Sequence, residues 1–245
     1  MQQMYEESYF VASSTGGYAD YLADEALHRL NAHDRLARIE NTGTTPGRIL
    51  DVGCAAGFFL DAARHAGWQV LGLDCSEWAR RIAERRFGLP VLASWPDEES
   101  DEPRQFDTIS MFQVLEHLVH PDQAIAAAAS RLAPGGIVVV ETWNRRSVVA
   151  RLCGKRWQQM TPPSVVHLFS NDSLKLLVES KGFANIEIRS TSKRVSAEFI
   201  GNLLRAKYPR LLAPLGWATS KTPIGRFSFP YSLGDLVTLT ARKPA

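Results

Sequence analysis

An α/β fold, with a mostly parallel, doubly wound sheet at its centre, is what this sequence predicts. Three observations carry the prediction. Short aliphatic runs alternate with helical patterns from residue 48 to residue 141, an order that gives parallel strands joined by right-handed crossovers. The first run ends in a turn of small residues, Gly53-Cys54-Ala55-Ala56-Gly57, that opens directly into a helical pattern. Ile137–Glu141 holds four apolar residues in a row, as a strand buried on both faces requires.

Each element follows in order. Arg48–Val52 is a β-branched and aliphatic strand that Gly53 stops, and Phe58–His65 is a helix that Gly67 terminates as a left-handed cap. Gln69–Asp74 forms the second strand, and Glu77–Arg86 a helix halted by Gly88 and Pro90. Val91–Ala93 is a short third strand, Phe106–Met111 the fourth and Ile137–Glu141 the fifth. The alanine-rich Pro121–Leu132 bridges the last two as a helix closed by Ala133-Pro134-Gly135-Gly136. Asn171-Asp172 caps a further helix, Asp172–Lys181, with Gly182 as its stop. Asn185–Arg189 and Leu236–Ala241 read as the last strands.

The chain then divides into four parts. Residues 1–46 form an N-terminal helical cap with an amphipathic helix from about Asp20 to Ile39, its Leu22, Ala26, Leu27, Leu30 and Leu36 near helical spacing. Residues 47–190 form the core, residues 191–235 a basic amphipathic insertion acting as a lid, and residues 236–245 the final core strand and tail. A basic loop follows the fifth strand.

Composition sets the outer bounds. A hydrophobic fraction of 45% and a charged fraction of 22% are those of a soluble globular chain of 245 residues. A net charge of +2 argues against a chain built to hold a polyanion. The three cysteines, Cys54, Cys75 and Cys153, form no CxxC pair, so neither a disulfide framework nor a zinc site is expected. Glu6 and Glu7 stand where a secretory signal would carry basic residues, and no stretch is apolar enough to span a membrane. The expected location is the cytoplasm. Nothing in the sequence specifies an oligomeric state.

The informative segment is Ile49 to Gly57. Small residues at Gly53, Ala55 and Gly57 let the backbone turn sharply from strand to helix and approach a ligand closely. Asp74 lies 74 − 53 = 21 residues beyond the first glycine, where a Rossmann-type site places a carboxylate on ribose hydroxyls. A dinucleotide site requires a third glycine so that pyrophosphate can sit on the helix N-terminus, and Phe58 occupies that position. Asp51, just before the turn, suits a ligand with an ammonium group and no phosphate. A nicotinamide-dependent oxidoreductase is therefore the weaker alternative.

These motifs together resemble the class I S-adenosylmethionine-dependent methyltransferases, over residues 48–190 and the last strand. Asp51-Val52-Gly53-Cys54-Ala55-Ala56-Gly57 is similar to their first motif, with Ala55 for the usual central glycine, and Leu71-Gly72-Leu73-Asp74 to their ribose-binding motif. Phe106-Asp107 through Gln113-Val114-Leu115-Glu116-His117-Leu118 resembles the fourth-strand segment of the subgroup that includes the ubiquinone-pathway O-methyltransferases. Leu132-Ala133-Pro134-Gly135-Gly136 resembles the turn before their fifth strand. The resemblance implies a Rossmann-like, seven-stranded sheet whose last strand is antiparallel, and S-adenosylmethionine as cofactor with S-adenosylhomocysteine as its product. It implies that Gly53, Ala55 and Gly57 line the methionine portion, that Asp74 holds the ribose, and that Gln113 lies beside the cofactor. Ser94 and Trp95 are the candidates for the adenine contact.

Methyl transfer requires an aligned acceptor, excluded water and, for a hydroxyl, a base. Ligands in such sheets bind beyond the carboxyl ends of the strands, so Gln113–His117 and Glu141–Asn144 should face the acceptor. His117 and His120 make a poor metal cage, and no metal is expected. His117 reads as an ordering residue with a catalytic role as the alternative. His167, in Pro162-Pro163-Ser164-Val165-Val166-His167-Leu168-Phe169-Ser170, is the other candidate base; in the resembling subgroup such a segment borders the active site, and a packing histidine is the competing reading. Trp143 and Trp157 fit a pocket wall or the core equally. The insertion holds seven basic residues, Lys193, Arg194, Arg205, Lys207, Arg210, Lys221 and Arg226, against Glu198 and Asp235. A basic element interleaved with apolar residues such as Phe199 and Trp217 suits a lid, a lipid-linked or phosphorylated acceptor, or peripheral membrane contact. No RNA-binding module accompanies it, so nucleic acid is not an expected partner. The expected function is methyl transfer from S-adenosylmethionine to a small-molecule acceptor, most readily a hydroxyl oxygen, in biosynthesis of a quinone, glycan or secondary metabolite. A non-enzymatic S-adenosylmethionine-binding module is the alternative, separable only by turnover.

Overall fold

The computed structural model describes residues 21–95, 105–197 and 228–245. In chain order these form α1 (Glu25–Glu40), β1 (Arg48–Val52), α2 (Phe58–His65), β2 (Gln69–Leu73), α3 (Glu77–Phe87), β3 (Val91–Leu92) and β4 (Phe106–Phe112). Then come α4 (Pro121–Arg131), β5 (Leu132–Trp143), α5 (Val148–Cys153), α6 (Asn171–Glu179), β6 (Ala184–Ser190), β7 (Lys193–Ser196), β8 (Ser228–Tyr231) and β9 (Leu236–Arg242). Seven strands form one sheet in the order β3-β2-β1-β4-β5-β9-β6. The pairs from β3 to β5 are parallel, and β9 enters antiparallel between β5 and β6. The Rossmann-like arrangement expected from the sequence is the one observed.

Alternation explains why this sheet is covered on both faces. Along β5, Ile137 and Val139 pack with Ile49, Leu60 and the buried stripe Ala32, Leu36 and Ile39 of α1. Val138 and Val140, one residue out of phase, pack with Leu50, Met111, Ile125 of α4 and Leu174 of α6. A side-chain period of 2 sends successive residues to opposite layers, so a continuous apolar run is what a two-sided core demands.

Several boundaries differ from expectation for identifiable reasons. β5 starts at Leu132, five residues early, because Leu132 pairs with Phe106 and the Gly135–Gly136 turn exchanges backbone hydrogen bonds with Lys243. The cap of α6 is Ser170, whose side chain accepts from Ser173 N while the Ser173 hydroxyl accepts from Ser170 N, a reciprocal box that outcompetes Asn171-Asp172. The basic loop after β5 contains the short helix α5, capped by Ser147, which its exposed Val148 and Leu152 hide from any periodicity reading. β7 and β8 pair antiparallel as a second, two-stranded sheet at the two ends of the insertion. Of the insertion, residues 198–227 lie outside the described residues, as do residues 1–20 and 96–104, so the expectations placed on Glu198, Phe199, Arg205, Lys207, Arg210, Trp217, Lys221 and Arg226 fall there.

One buried carboxylate ties α1 to the sheet. Glu141, fully buried near the end of β5, meets Arg35 Nη2 at 2.5 Å and Arg38 Nη2 at 3.1 Å. Burial alone would raise its pKa, but the guanidinium groups of Arg35 and Arg38 outweigh that and hold it below the ordinary value. A carboxyl group of this kind adds stability that is present above its unfolded pKa and lost as pH falls through the folded one. Removing one partner of a buried ion pair leaves the others uncompensated. Glu141→Gln is therefore expected to cost about 3 kcal/mol in urea unfolding at pH 7.5, with a smaller difference from wild type at low pH, where Glu141 is protonated. A loss below 0.5 kcal/mol, on the order of an exposed pair, would contradict the role assigned to it.

Candidate functional site

The turn after β1 is built from backbone conformations that side chains resist. Gly53, Ala55 and Gly57 have φ of 73°, 48° and 84°. A Cβ on Gly53 would overlap the side chain of Val114, so glycine is required there twice over. Gly57 caps α2, and the space its missing Cβ leaves is taken by Leu89 and Ala83 of the next crossover. Ala55 holds a left-handed conformation at a cost of roughly 1–2 kcal/mol, and its N–H donates to Asp74 Oδ2 at 2.8 Å. Ser76 N donates to Asp74 Oδ1 at 2.8 Å, so the carboxylate at the end of β2 is fixed in direction. Burial raises its pKa despite these two donors.

Beyond the carboxyl ends of β1, β2 and β4 opens a cavity of about 760 Å³. Asp51, Gly53, Ala55, Asp74, Trp95, Gln113 and His117 all line it. Gly57, Ser94 and His167 do not appear in its wall: Gly57 serves helix packing, Ser94 is exposed, and His167 Nε2 faces the Val119 carbonyl at 3.3 Å. Trp143 and Trp157 are both 5% exposed and pack together with Ala150 and Leu236, a core role.

The cavity has two chemically different ends. Asp74, Trp95, Leu118 and Arg131 lie over β2, β3 and α4, with the Arg131 guanidinium 5.3 Å from the centre of the Trp95 ring. At the other end stand Asn31 and Arg35 of α1, Phe112 and Gln113 of β4 and its following turn, and Lys193 of β7. Tyr21, His28 and Phe58 add an aromatic wall to the cavity, with ring centroids 4.0 Å and 5.2 Å apart along the stack. Burial lowers the pKa of His28 to about 4, keeping the ring neutral.

Gln113 connects this second end to the core. Its φ is +57°, an uncommon conformation for a residue with a side chain. Its N–H donates to the Glu141 carbonyl at 2.7 Å, and its Nε2 donates to Glu141 Oε1 at 2.9 Å. The amide oxygen accepts from Lys193 Nζ at 3.0 Å. His117 Nδ1 donates to the Ser164 carbonyl at 2.6 Å.

Asp51 is a buried carboxyl group of the wall. It is 3% exposed and accepts from Ser110 Oγ at 2.7 Å. Burial, only partly opposed by the Ser110 hydroxyl, pushes its pKa up to about 7.

Sequence reasoning did not single out His28, Asn31 and Arg35. A signal was present: Asp24, His28, Asn31 and Arg35 recur at helical spacing, a polar stripe interrupting what would otherwise be the apolar face. Lys193 had no local signal as a site residue, because the fold alone brings it beside Gln113.

Comparison with known proteins places this geometry in a family. Residues 21–188 match a family model described as a methyltransferase domain. The ubiquinone biosynthesis O-methyltransferase of Bordetella bronchiseptica is 33% identical over 156 residues, covering 59% of this chain and 64% of the relative. That of Thiobacillus denitrificans is 34% identical over 128 residues, 49% of this chain and 55% of the relative. The match thus spans less than two thirds of these relatives' length. A methyltransferase from Archaeoglobus fulgidus described as dependent on S-adenosylmethionine shares the fold, with a TM-score of 0.61 at 18% identity over 91% of this chain and 99% of that one. So does phosphoethanolamine N-methyltransferase 2 of Haemonchus contortus, solved with S-adenosyl-L-methionine, with a TM-score of 0.54 at 18% identity over 87% of this chain and 53% of that one.

The raised pKa of Asp51 yields a signed prediction. The folded protein without ligand holds a proton that the unfolded chain releases, so Asp51 lowers stability as pH rises from the ordinary carboxylate range through about 7. Asp51→Asn should therefore raise the melting temperature of the ligand-free protein at pH 8 by a few degrees. It should leave that at pH 4 nearly unchanged. A lower melting temperature at pH 8 would show that the carboxylate is held by compensation absent from this account.

Proposed function

We propose that this chain, which belongs to the methyltransferase-domain family, transfers a methyl group from S-adenosylmethionine to a hydroxyl oxygen of a small aromatic acceptor. The observation that carries the reading is the joint placement of Gly53, Asp51, Asp74 and Gln113 on one cavity at the carboxyl ends of β1, β2 and β4. The fit to the cofactor rests on three features. The missing Cβ at Gly53 permits close backbone approach, Asp74 presents a carboxylate aimed by two backbone donors, and buried Asp51 offers an acid that an ammonium group would ionise. S-Adenosylmethionine supplies an electrophilic methyl group when bound. Asp74 would take the ribose hydroxyls, Asp51 the amino group and Trp95 the adenine side. The Tyr21, His28 and Phe58 wall would exclude water from the reacting centre, which strengthens the electrostatics inside it.

The oxygen acceptor is supported by the relatives named for O-methylation in ubiquinone biosynthesis and by an acceptor end walled by Phe112 and cations. Among the described residues no helix is long and apolar enough to cross a membrane.

The test is transfer of label from methyl-labelled S-adenosylmethionine to a panel of catechols and phenols, with aromatic amines in parallel. Label is expected in methyl ethers. Asp74→Ala should lower kcat/KM for the cofactor roughly 10- to 100-fold, the loss expected for hydrogen bonds to a charged group. Label found only in amines would overturn the oxygen assignment, and no transfer to any of them would favour a binding module.

A further inference from the structure

We infer that Lys193 is the base that removes the acceptor's hydroxyl proton, an assignment that rests on the reading of the cavity as a methyl-transfer site. The geometry comes first. A cofactor directed by Asp74 and Trp95 occupies the end of the cavity over β2 and β3, so the acceptor enters from the end bounded by α1, Phe112 and β7. Among the described residues three cations face that end, and two are committed: Arg35 to Glu141 at 2.5 Å, and Arg194 towards Asp34 at 3.8 Å. Lys193 instead meets neutral partners, the Gln113 amide oxygen at 3.0 Å and the face of Trp143 at 4.8 Å from the ring centroid.

That amide cannot turn away. Gln113 Nε2 is held by Glu141 Oε1, which fixes the carbonyl towards the lysine and leaves Nζ beside the carboxyl end of β4. The position is one where an ammonium group is poorly paid for. Burial lowers the lysine pKa to about 8, against the attraction of Glu141, Glu116 and Asp235 and with repulsion from Arg35. His28 of α1, itself kept neutral by burial, also faces the lysine, and Arg38 and Asp51 act more remotely through Glu141 and Arg35. A neutral amine is thus accessible near neutral pH, and a positive sulfonium nearby would favour it further.

The step balances without any other reagent. The hydroxyl proton passes to the Nζ lone pair, the acceptor oxygen forms a bond to the methyl carbon, and the carbon–sulfur bond breaks with its electron pair remaining on sulfur. The products are a methyl ether, the thioether and a lysine ammonium that returns its proton to solvent. A phenol, far more acidic than an aliphatic alcohol, matches such an amine more closely as a proton donor.

The test uses the full chain, with 4-nitrocatechol and catechol as probes and Lys193→Met and Lys193→Arg as variants. S-Adenosylhomocysteine binding is expected to change less than threefold in both variants. The absorbance of bound 4-nitrocatechol reports its ionisation without turnover: its apparent pKa should fall on binding to the wild type and return towards the buffer value in Lys193→Met. With catechol, kcat should drop roughly 10²- to 10⁴-fold in Lys193→Met, and much less with the more acidic 4-nitrocatechol. Lys193→Arg should not rescue, since arginine keeps the charge but cannot take the proton. Rescue by arginine, an equal loss for both catechols, or a wild type that binds S-adenosylhomocysteine yet methylates neither probe would overturn the assignment. Failure of the wild type to bind S-adenosylhomocysteine at all would instead overturn the methyl-transfer reading beneath it.

Discussion

The carboxylate of Glu141 is the constraint on which the rest of the site depends. It is fully buried at the end of a central strand, where an unpaired charge would be untenable. Arg35 and Arg38 satisfy it from α1, and Gln113 satisfies it from the turn after β4. One group therefore fixes three elements. It ties Arg35 and Arg38, beside the apolar stripe of α1, to the sheet, and turns the Gln113 carbonyl towards Lys193. A purely apolar contact of the same size would bury α1 equally well but would not choose its register or orient an amide.

The turn after β1 depends on backbone rather than charge. Gly53 and Ala55 hold left-handed conformations, and the Ala55 N–H is spent on Asp74. Gln113, likewise at positive φ, follows the neighbouring strand β4, and Val114 after it packs against Gly53. Residues in sparsely populated regions cluster where a site must be shaped. Here both strained side-chain-bearing positions in the wall sit at strand ends of the topological switch between β1 and β4. The packed core on either side, from Leu50 and Val140 on one face to Ile49 and Val139 on the other, is what holds them there.

Legibility in the sequence followed the range of the interactions. The strands and the crossover helices were readable because local patterning and the two-sided core agree, as in Arg48–Val52 and Phe58–His65, whose bounds match. Asp74 was readable because a strand end and a fixed separation from Gly53 define it. α5 was not, since its apolar residues face outward, and neither was the Ser170 box, where two flanking polar residues gave an equally good local signal. Arg35 was hidden inside an amphipathic pattern defined by its apolar residues Leu22, Ala26, Leu27, Leu30 and Leu36. Lys193 was counted merely as part of a basic stretch, because its partner lies 80 residues away and only the sheet order brings them together. Gly57 and Ser94 belong to the right motifs, yet the first is used for packing and the second points to solvent.

Phe58 where pyrophosphate would need glycine, the buried acid Asp51 and the directed carboxylate of Asp74 suit the cavity to a cationic, phosphate-free adenosyl ligand. Isothermal titration of the purified chain with S-adenosylhomocysteine and, in parallel, NAD tests this most directly. Micromolar binding of S-adenosylhomocysteine and no detectable heat with NAD are expected. Binding of NAD in preference to S-adenosylhomocysteine would contradict it.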